Sequence, residues 1–274
     1  MAFQPKLDRC NIIAMTTPSG TGAQPIFLIR DAKRGGSEPA EVYQPDLQEG
    51  ETDFDPYGED ATPSNTYAVK GGTHSVAAGA VKLAAVVAVT EKEGSGSDPD
   101  IVKKYALTEY SLDSKNKSPL AISGSSQLVE DGVDASRQAY WPLPAHVVSS
   151  RQIPQDFFGC FTLSGTGCSL QSVKATAKVM VSTDKLVGKI ISSDSNTGIL
   201  TVTGTILRNK KIANNSEPTI TPLATEVVLE GQLKSKWTLT KSPTPTEDNP
   251  ETAYPTYEFE LSLPLKKVIP TPES

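Results

Sequence analysis

The sequence predicts a mainly β protein: an antiparallel sandwich or small barrel with long polar loops and terminal arms and little helix. Three observations carry that prediction. Apolar residues recur at every second position in several stretches, the periodicity of a strand with one buried face. The 21 prolines are spread along the whole 274-residue chain, where they interrupt helices. Only 37% of residues are apolar and 6% are aromatic, which suits many short strands with polar connections better than a helical bundle.

Residues 1–34 read as an N-terminal arm and a first strand. The "SGTG" at Ser19–Gly22 marks a turn, and "QPIFLIRD" after it is the strand. Residues 35–67 form an acidic loop or arm, with nine Asp or Glu and no Lys or Arg between Gly35 and Asn65. A β-rich domain spans 68–265, with a candidate break into two subdomains near 113–150. At its start, "AVKLAAVVAVTEK" and "IVKKYALTEYSL" read as strands joined by "EGSGSDPD". Alanines make a helix the rival for the first, and Val81, Val86, Val87 and Val89 favour the strand. Ser111–Ser126 reads as a loop or linker. "SQLVEDGVDASRQAYW" has a helix-like composition interrupted by Gly132.

At least five strands are expected between Phe157 and Leu265. In "SVKATAKVMVST", Val173, Ala175, Ala177, Val179 and Val181 share one face. "LVGKIISSDSNTGILTVTGTIL" reads as two strands around "SDSNTG", where Asn196 and Gly198 tolerate a positive φ. "ATEVVLEGQLKSKWTLTK" reads as one strand, burying Val227, Leu229, Leu233, Trp237 and Leu239 and exposing Glu226 and Glu230. "TYEFELSLPLKK" buries Tyr257, Phe259, Leu261, Leu263 and Leu265 in the same way. Between these two, "SPTPTEDNPETAYP" is too long and polar for a tight hairpin turn. Residues 266–274 are a C-terminal tail.

The net charge of −6 excludes a general nucleic-acid-coating role, which needs a basic face. Lys6, Asp8 and Arg9 break up the N-terminus, so it does not read as a secretory signal. The longest apolar stretch, Ala77–Val89, contains Lys82 and falls short of the ~20 residues a membrane helix needs. Folding in a reducing cytosol is the expectation.

"CFTLSGTGC", Cys160 to Cys168, is the most chemical-looking stretch. A structural zinc site needs four ligands, and the chain has three cysteines and two histidines. A phosphate loop needs a Lys after the glycines, and none follows. Strand register disfavours a Cys160–Cys168 disulfide. The reading is a strand-to-strand turn at Ser164–Gly167 with two reduced, partly buried thiols.

Asp53, Asp55, Glu59 and Asp60 begin like a calcium loop, but Tyr57 and Ser64 break the EF-hand pattern. A solvated or docking arm is the reading, with Phe54 and Tyr57 as anchors and Asp53 and Asp55 facing a basic partner. A triad needs a His. His74 lies beside Ser75, His146 lies among apolar residues, and no GxSxG occurs. No catalytic, cofactor-binding or metal residue is therefore assigned; the chain is expected to be no enzyme and to carry no cofactor. Trp141, between Tyr140 and Pro142, is a candidate partner-contact aromatic, with core and ligand-groove readings open.

The strand-rich part from Phe157 to Leu265 resembles structural proteins of tailed-phage virions in general style. The shared traits are many strands, few cysteines, no signal and long polar arms. The resemblance implies a tail-tube or related subunit that stacks in rings, with loops and arms bridging neighbours. The acidic balance of the chain fits a tube whose lumen must let DNA slide without sticking. The expected function is a structural subunit of a phage virion or tube-like assembly, tail tube favoured. A capsid decoration protein and a carbohydrate- or protein-binding β module are the alternatives. Expected partners are copies of itself in a ring or lattice and other virion structural proteins. No specific nucleic-acid binding and no membrane contact are expected. The expected location is the virion, after synthesis in the host cytoplasm.

Overall fold

Period-two alternation over "SVKATAKV" and "TYEFELSLPL" has one low-energy outcome: strands laid side by side with their apolar residues on a common face. A computed structural model of the chain describes residues 32–35, 64–68, 73–91, 101–118, 120–129, 139–149, 153–186, 189–246 and 254–270. These residues contain strands and no helix. In chain order the strands are β1 (Ala32–Gly35), β2 (Ser64–Ala68), β3 (Thr73–Val76), β4 (Lys82–Leu83), β5 (Val86–Glu91), β6 (Ile101–Lys115), β7 (Ala121–Val129), β8 (Trp141–Pro142) and β9 (His146–Ser149). They continue as β10 (Phe161–Ser164), β11 (Cys168–Leu186), β12 (Lys189–Arg208), β13 (Thr219–Pro222), β14 (Val227–Glu230), β15 (Leu233–Ser235), β16 (Thr238–Pro245) and β17 (Thr256–Pro264).

The main sheet runs β1-β2-β7-β6-β11-β12-β17-β16, all antiparallel, with β5 also paired to β6. It does not close, so the sandwich half of the expectation holds and the barrel does not. Register puts Ile122, Leu112, Ala175, Val202 and Leu261 in one row across five strands, and all are buried. Val173, Ala177, Val179, Tyr257, Phe259 and Leu263 fill the rows beside it. Four two-stranded sheets, β3-β9, β4-β8, β10-β13 and β14-β15, supply a second layer. Their Leu83, Trp141, Val148, Ile220 and Leu229 join the same core. The opposite face of the main sheet is polar. One row on it reads Ser123, Ser111, Thr176, Thr201, Ser262, Thr238. The next reads Asp113, Lys174, Thr203, Glu260, Lys241.

Several expectations change. Ser111–Ser126 is not a linker: it is the β6–β7 hairpin, whose Leu112 and Ile122 alternate with the polar residues of the open face. "SDSNTG" is not a turn. β12 runs through it and keeps pairing with β11, and one extra residue is absorbed as a bulge between Ser195 and Gly198. The reversal lies where Leu186 faces Lys189. The stretch from Ala224 to Lys241 is three strands rather than one. Gly231, at φ +53, takes a left-handed conformation and folds β14 back on β15. "QPIFLIRD", Ser19–Gly22 and most of "SQLVEDGVDASRQAYW" lie outside the described residues, although its Ser126–Val129 belongs to β7 and its Trp141 to β8.

β11 and β12 are the longest described strands, at 19 and 20 residues. β6 leaves β11 after Lys178, and β17 leaves β12 at Ile199. Beyond that level Val181–Leu186 and Lys189–Ser195 pair only with each other among the described residues. β6 also runs on past this level, from Thr108 to Ile101, with β5 in the place β11 had held, so the main sheet divides here into a β11–β12 ribbon and a β5–β6–β7 part. At the other border of the sheet, β16 carries Lys241, Pro243 and Pro245 and has two irregularities in its pairing with β17.

Candidate functional site

The "SGTG" turn is where sequence chemistry and structure meet. Cys168 N–H donates to Gly165 O at 3.2 Å. Gly165 and Gly167 both have positive φ, at 135° and 81°, which explains the two glycines. The flanking strands do not pair with each other. β10 pairs with β13, and β11 pairs with β12. The turn therefore carries the chain out of the second layer and into the main sheet.

Both described cysteines are free. Cys160 is fully buried, and its thiol donates to Asp156 Oδ1 at 3.3 Å. Asp156 also accepts from Phe158 N at 3.2 Å and Phe161 N at 3.0 Å, which fixes the loop that leads into β10. Burial first, and then the Asp156 carboxylate, push the Cys160 thiol up, so it stays protonated. Cys168 donates to Ser216 O at 3.4 Å, and partial burial raises its pKa.

Ser216 belongs to the loop "NKKIANNSE", Asn209–Glu217, which the turn holds in place. Asn209 N donates to Gly167 O at 2.9 Å and Ser216 N to Thr166 O at 3.1 Å. Thr166 N donates to Ser216 Oγ at 2.9 Å. Inside the loop, Asn215 acts as a hub. Its Oδ1 accepts from Arg208 Nε at 3.0 Å and Nη2 at 2.7 Å. Its Nδ2 donates to Lys210 O and Ile212 O, both at 3.0 Å. Arg208 also pairs with Glu217. A hydrogen bond from Tyr257 and the Arg208 guanidinium hold the Glu217 carboxyl below its usual range. The loop thus presents Lys210, Lys211 and Ile212 on a fixed frame. Ile212 is 42% exposed, and Tyr254 beside Lys211 is 44% exposed.

Two further polar clusters sit inside the sandwich. His146 is 3% exposed. Its Nε2 lies 3.1 Å from the Tyr110 hydroxyl and its Nδ1 3.1 Å from Pro144 O. Phe158 packs against it with its ring tilted, and Trp237 packs against Phe158 in the same way. Burial lowers its pKa to about 4, so the ring is neutral at neutral pH. Lys82, with 6% of its side chain exposed, pairs with Glu230 at 2.7 Å and lies 4.2 Å above the Tyr140 ring. This corrects the placement of Glu230 on a solvated strand face. The β14–β15 reversal turns Glu230 toward β4.

Trp141, selected as a partner-contact aromatic, is 7% exposed and packs against Gly198 at the root of the β11–β12 ribbon. A Cβ on Gly198 would lie 2.6 Å from the Trp141 ring, so the missing side chain makes room for the indole. Its ring is taken up by this chain's own core. Asp53, Phe54, Asp55, Tyr57, Glu59 and Asp60 lie outside the described residues. His74 sits on β3 in register with Val148. Among the described residues no three His, Cys, Asp or Glu side chains converge as metal ligands would. Sequence reading missed the Asn215 hub. The available signal was the density of turn-forming residues in "NKKIANNSEP". Comparison with known protein families and with curated proteins finds no match.

Proposed function

We propose that this chain is a self-associating structural subunit of a virion or tube-like assembly, with the phage tail tube the favoured form. The observation that carries the reading is the β11–β12 ribbon. A lone two-stranded ribbon is marginally stable in water and presents unpaired backbone groups along both edges. Its outer half has no other strand paired to it among the described residues, although the same two strands form the centre of the main sheet. A neighbouring subunit supplies what the ribbon lacks. The burial of Trp141 weighs against the ligand-groove alternative, which used that ring as its platform.

Size-exclusion chromatography and negative-stain electron microscopy test the reading. Purified protein is expected to form rings, tubes or a stable oligomer. A variant with Thr183–Asp194 replaced by a two-residue turn should keep its melting temperature within a few degrees and lose the assembly. A wild-type protein that stays monomeric at high concentration, or a trimmed ribbon that assembles normally, overturns it.

A further inference from the structure

The open polar face of the main sheet carries its charges in a fixed order. Across β6, β11, β12, β17 and β16, one row reads Asp113, Lys174, Thr203, Glu260, Lys241. Its signs run minus, plus, neutral, minus, plus. Reversing the row exchanges every sign, with Thr203 at the centre. The next row, Ser111, Thr176, Thr201, Ser262 and Thr238, puts a hydroxyl on every strand and no charge, so it is alike in both directions. β12 is the middle strand of both rows.

We propose that this face is a two-fold contact with a second copy of the chain, its axis running along β12. A half-turn about that axis lays one face on the other and keeps every row at its own level. Lys174 of each copy then stands over Glu260 of the other, and Asp113 over Lys241. The inner pair carries the argument, because neither Lys174 nor Glu260 has an ion-pair partner among the described residues. Glu260 accepts from the Thr240 hydroxyl at 2.8 Å. Asp113 and Lys241 are already held, by Lys115 at 2.9 Å and by Glu258 at 3.0 Å, and add less. Between the levels of Ile199 and Thr205 these strands carry Glu109, Asp113, Glu258 and Glu260 against Lys115, Lys174, Lys178 and Lys241. The signs balance, so two identical faces meet without net repulsion.

Shape fits the same occupant. Ser and Thr are short, so the hydroxyl row is a flat track between rows of longer side chains. Within it the Ser111 and Thr176 hydroxyls already bond each other at 3.2 Å. Ile199, 41% exposed, lies on the axis and meets its own counterpart in an apolar contact. Sheets that pack face to face keep their strands within about 30° of each other, which an axis along β12 satisfies. Five strands across and the length from Ile199 to Thr205 cover about 500 Å² per copy, or about 1,000 Å² in all, the lower limit for a specific contact. Such a contact is isologous and closes at two copies. It uses no part of the β11–β12 ribbon and goes beyond the assembly proposed above.

Charge reversal in the full-length protein tests the contact. K174E alone and E260K alone should each weaken dimerisation by at least about tenfold in sedimentation-velocity runs, with unchanged thermal melts. An equimolar mixture of the two should dimerise again, because every inner pair then joins opposite charges. Thr201→Cys puts a thiol on the axis and should give a disulfide-linked dimer under mild oxidation. Thr176→Cys, one strand off the axis, should not. Either reversal leaving the dimer intact, a mixture that stays monomeric, or equal linking at both cysteine positions overturns the proposal. So does a monomeric wild-type chain. A slow maleimide reaction at Thr201→Cys then means that another part of the chain covers the face, and a fast one leaves it to solvent or an unlike partner. Rings or tubes whose formation neither reversal changes would uphold the ribbon reading and sink this contact. A dimer that survives trimming of the ribbon, with nothing larger formed before or after, does the reverse.

Discussion

At the scale of single residues, His146 is the most sharply tuned group. Its pKa of about 4 in the folded chain lies below the unfolded value of 6.5, so the unfolded chain binds its proton first. The stability held by neutral His146 is complete above pH 6.5. It drains away as pH falls toward 4, by up to roughly 3 kcal/mol. Asp156 acts with the opposite sign, because burial raises its pKa and the folded chain takes up that proton more readily. His146→Gln should flatten the acid loss seen in urea unfolding midpoints between about pH 7 and about pH 4.5. An unchanged slope would show that other groups set it. The apolar neighbours of His146 were legible in the sequence. Its partner Tyr110, 36 residues away, was not, because no local pattern encodes a contact between β6 and β9.

At the scale of elements, alternation made β11 and β17 readable almost residue by residue, and it misled at β14–β15 for a physical reason. Two residues, Gly231 and Gln232, separate the paired Glu230 and Leu233. Inserting two residues preserves parity, so Leu229 and Leu233 still look like members of one strand face. The Lys82–Glu230 pair reports on that hairpin, since it ties β14 to β4. Lys82→Met leaves the Glu230 carboxylate beside Tyr140 without its counter-charge and should cost about 2 kcal/mol. That is less than for a fully buried pair, because Glu230 keeps 31% of its side chain exposed. Adding Glu230→Gln should recover part of the loss in a double-mutant cycle of urea unfolding. Strictly additive costs would mean that the pair contributes no coupling.

At the scale of the whole molecule, fold class was legible because composition and periodicity both point one way. The layer arrangement was not, because four short two-stranded sheets leave only faint periodic traces. Hydrogen exchange should reveal the same hierarchy. Amides at the centre of β11, β12 and β17, hydrogen-bonded within the main sheet, should exchange slowest. Those of Val181–Leu186 should exchange far faster in the isolated subunit and slow markedly on assembly. Equal protection in the two states would remove the ribbon from the interface. The β16 border adds a constraint of a different kind. Lys241 and the two prolines deny an incoming strand a regular ladder of donors. Any β protein held at high concentration risks zipping edge to edge into amyloid-like aggregates. Under the self-association proposed above, β16 closes that route at its own border and leaves the proposed contacts as the path open to a crowded population of newly made chains.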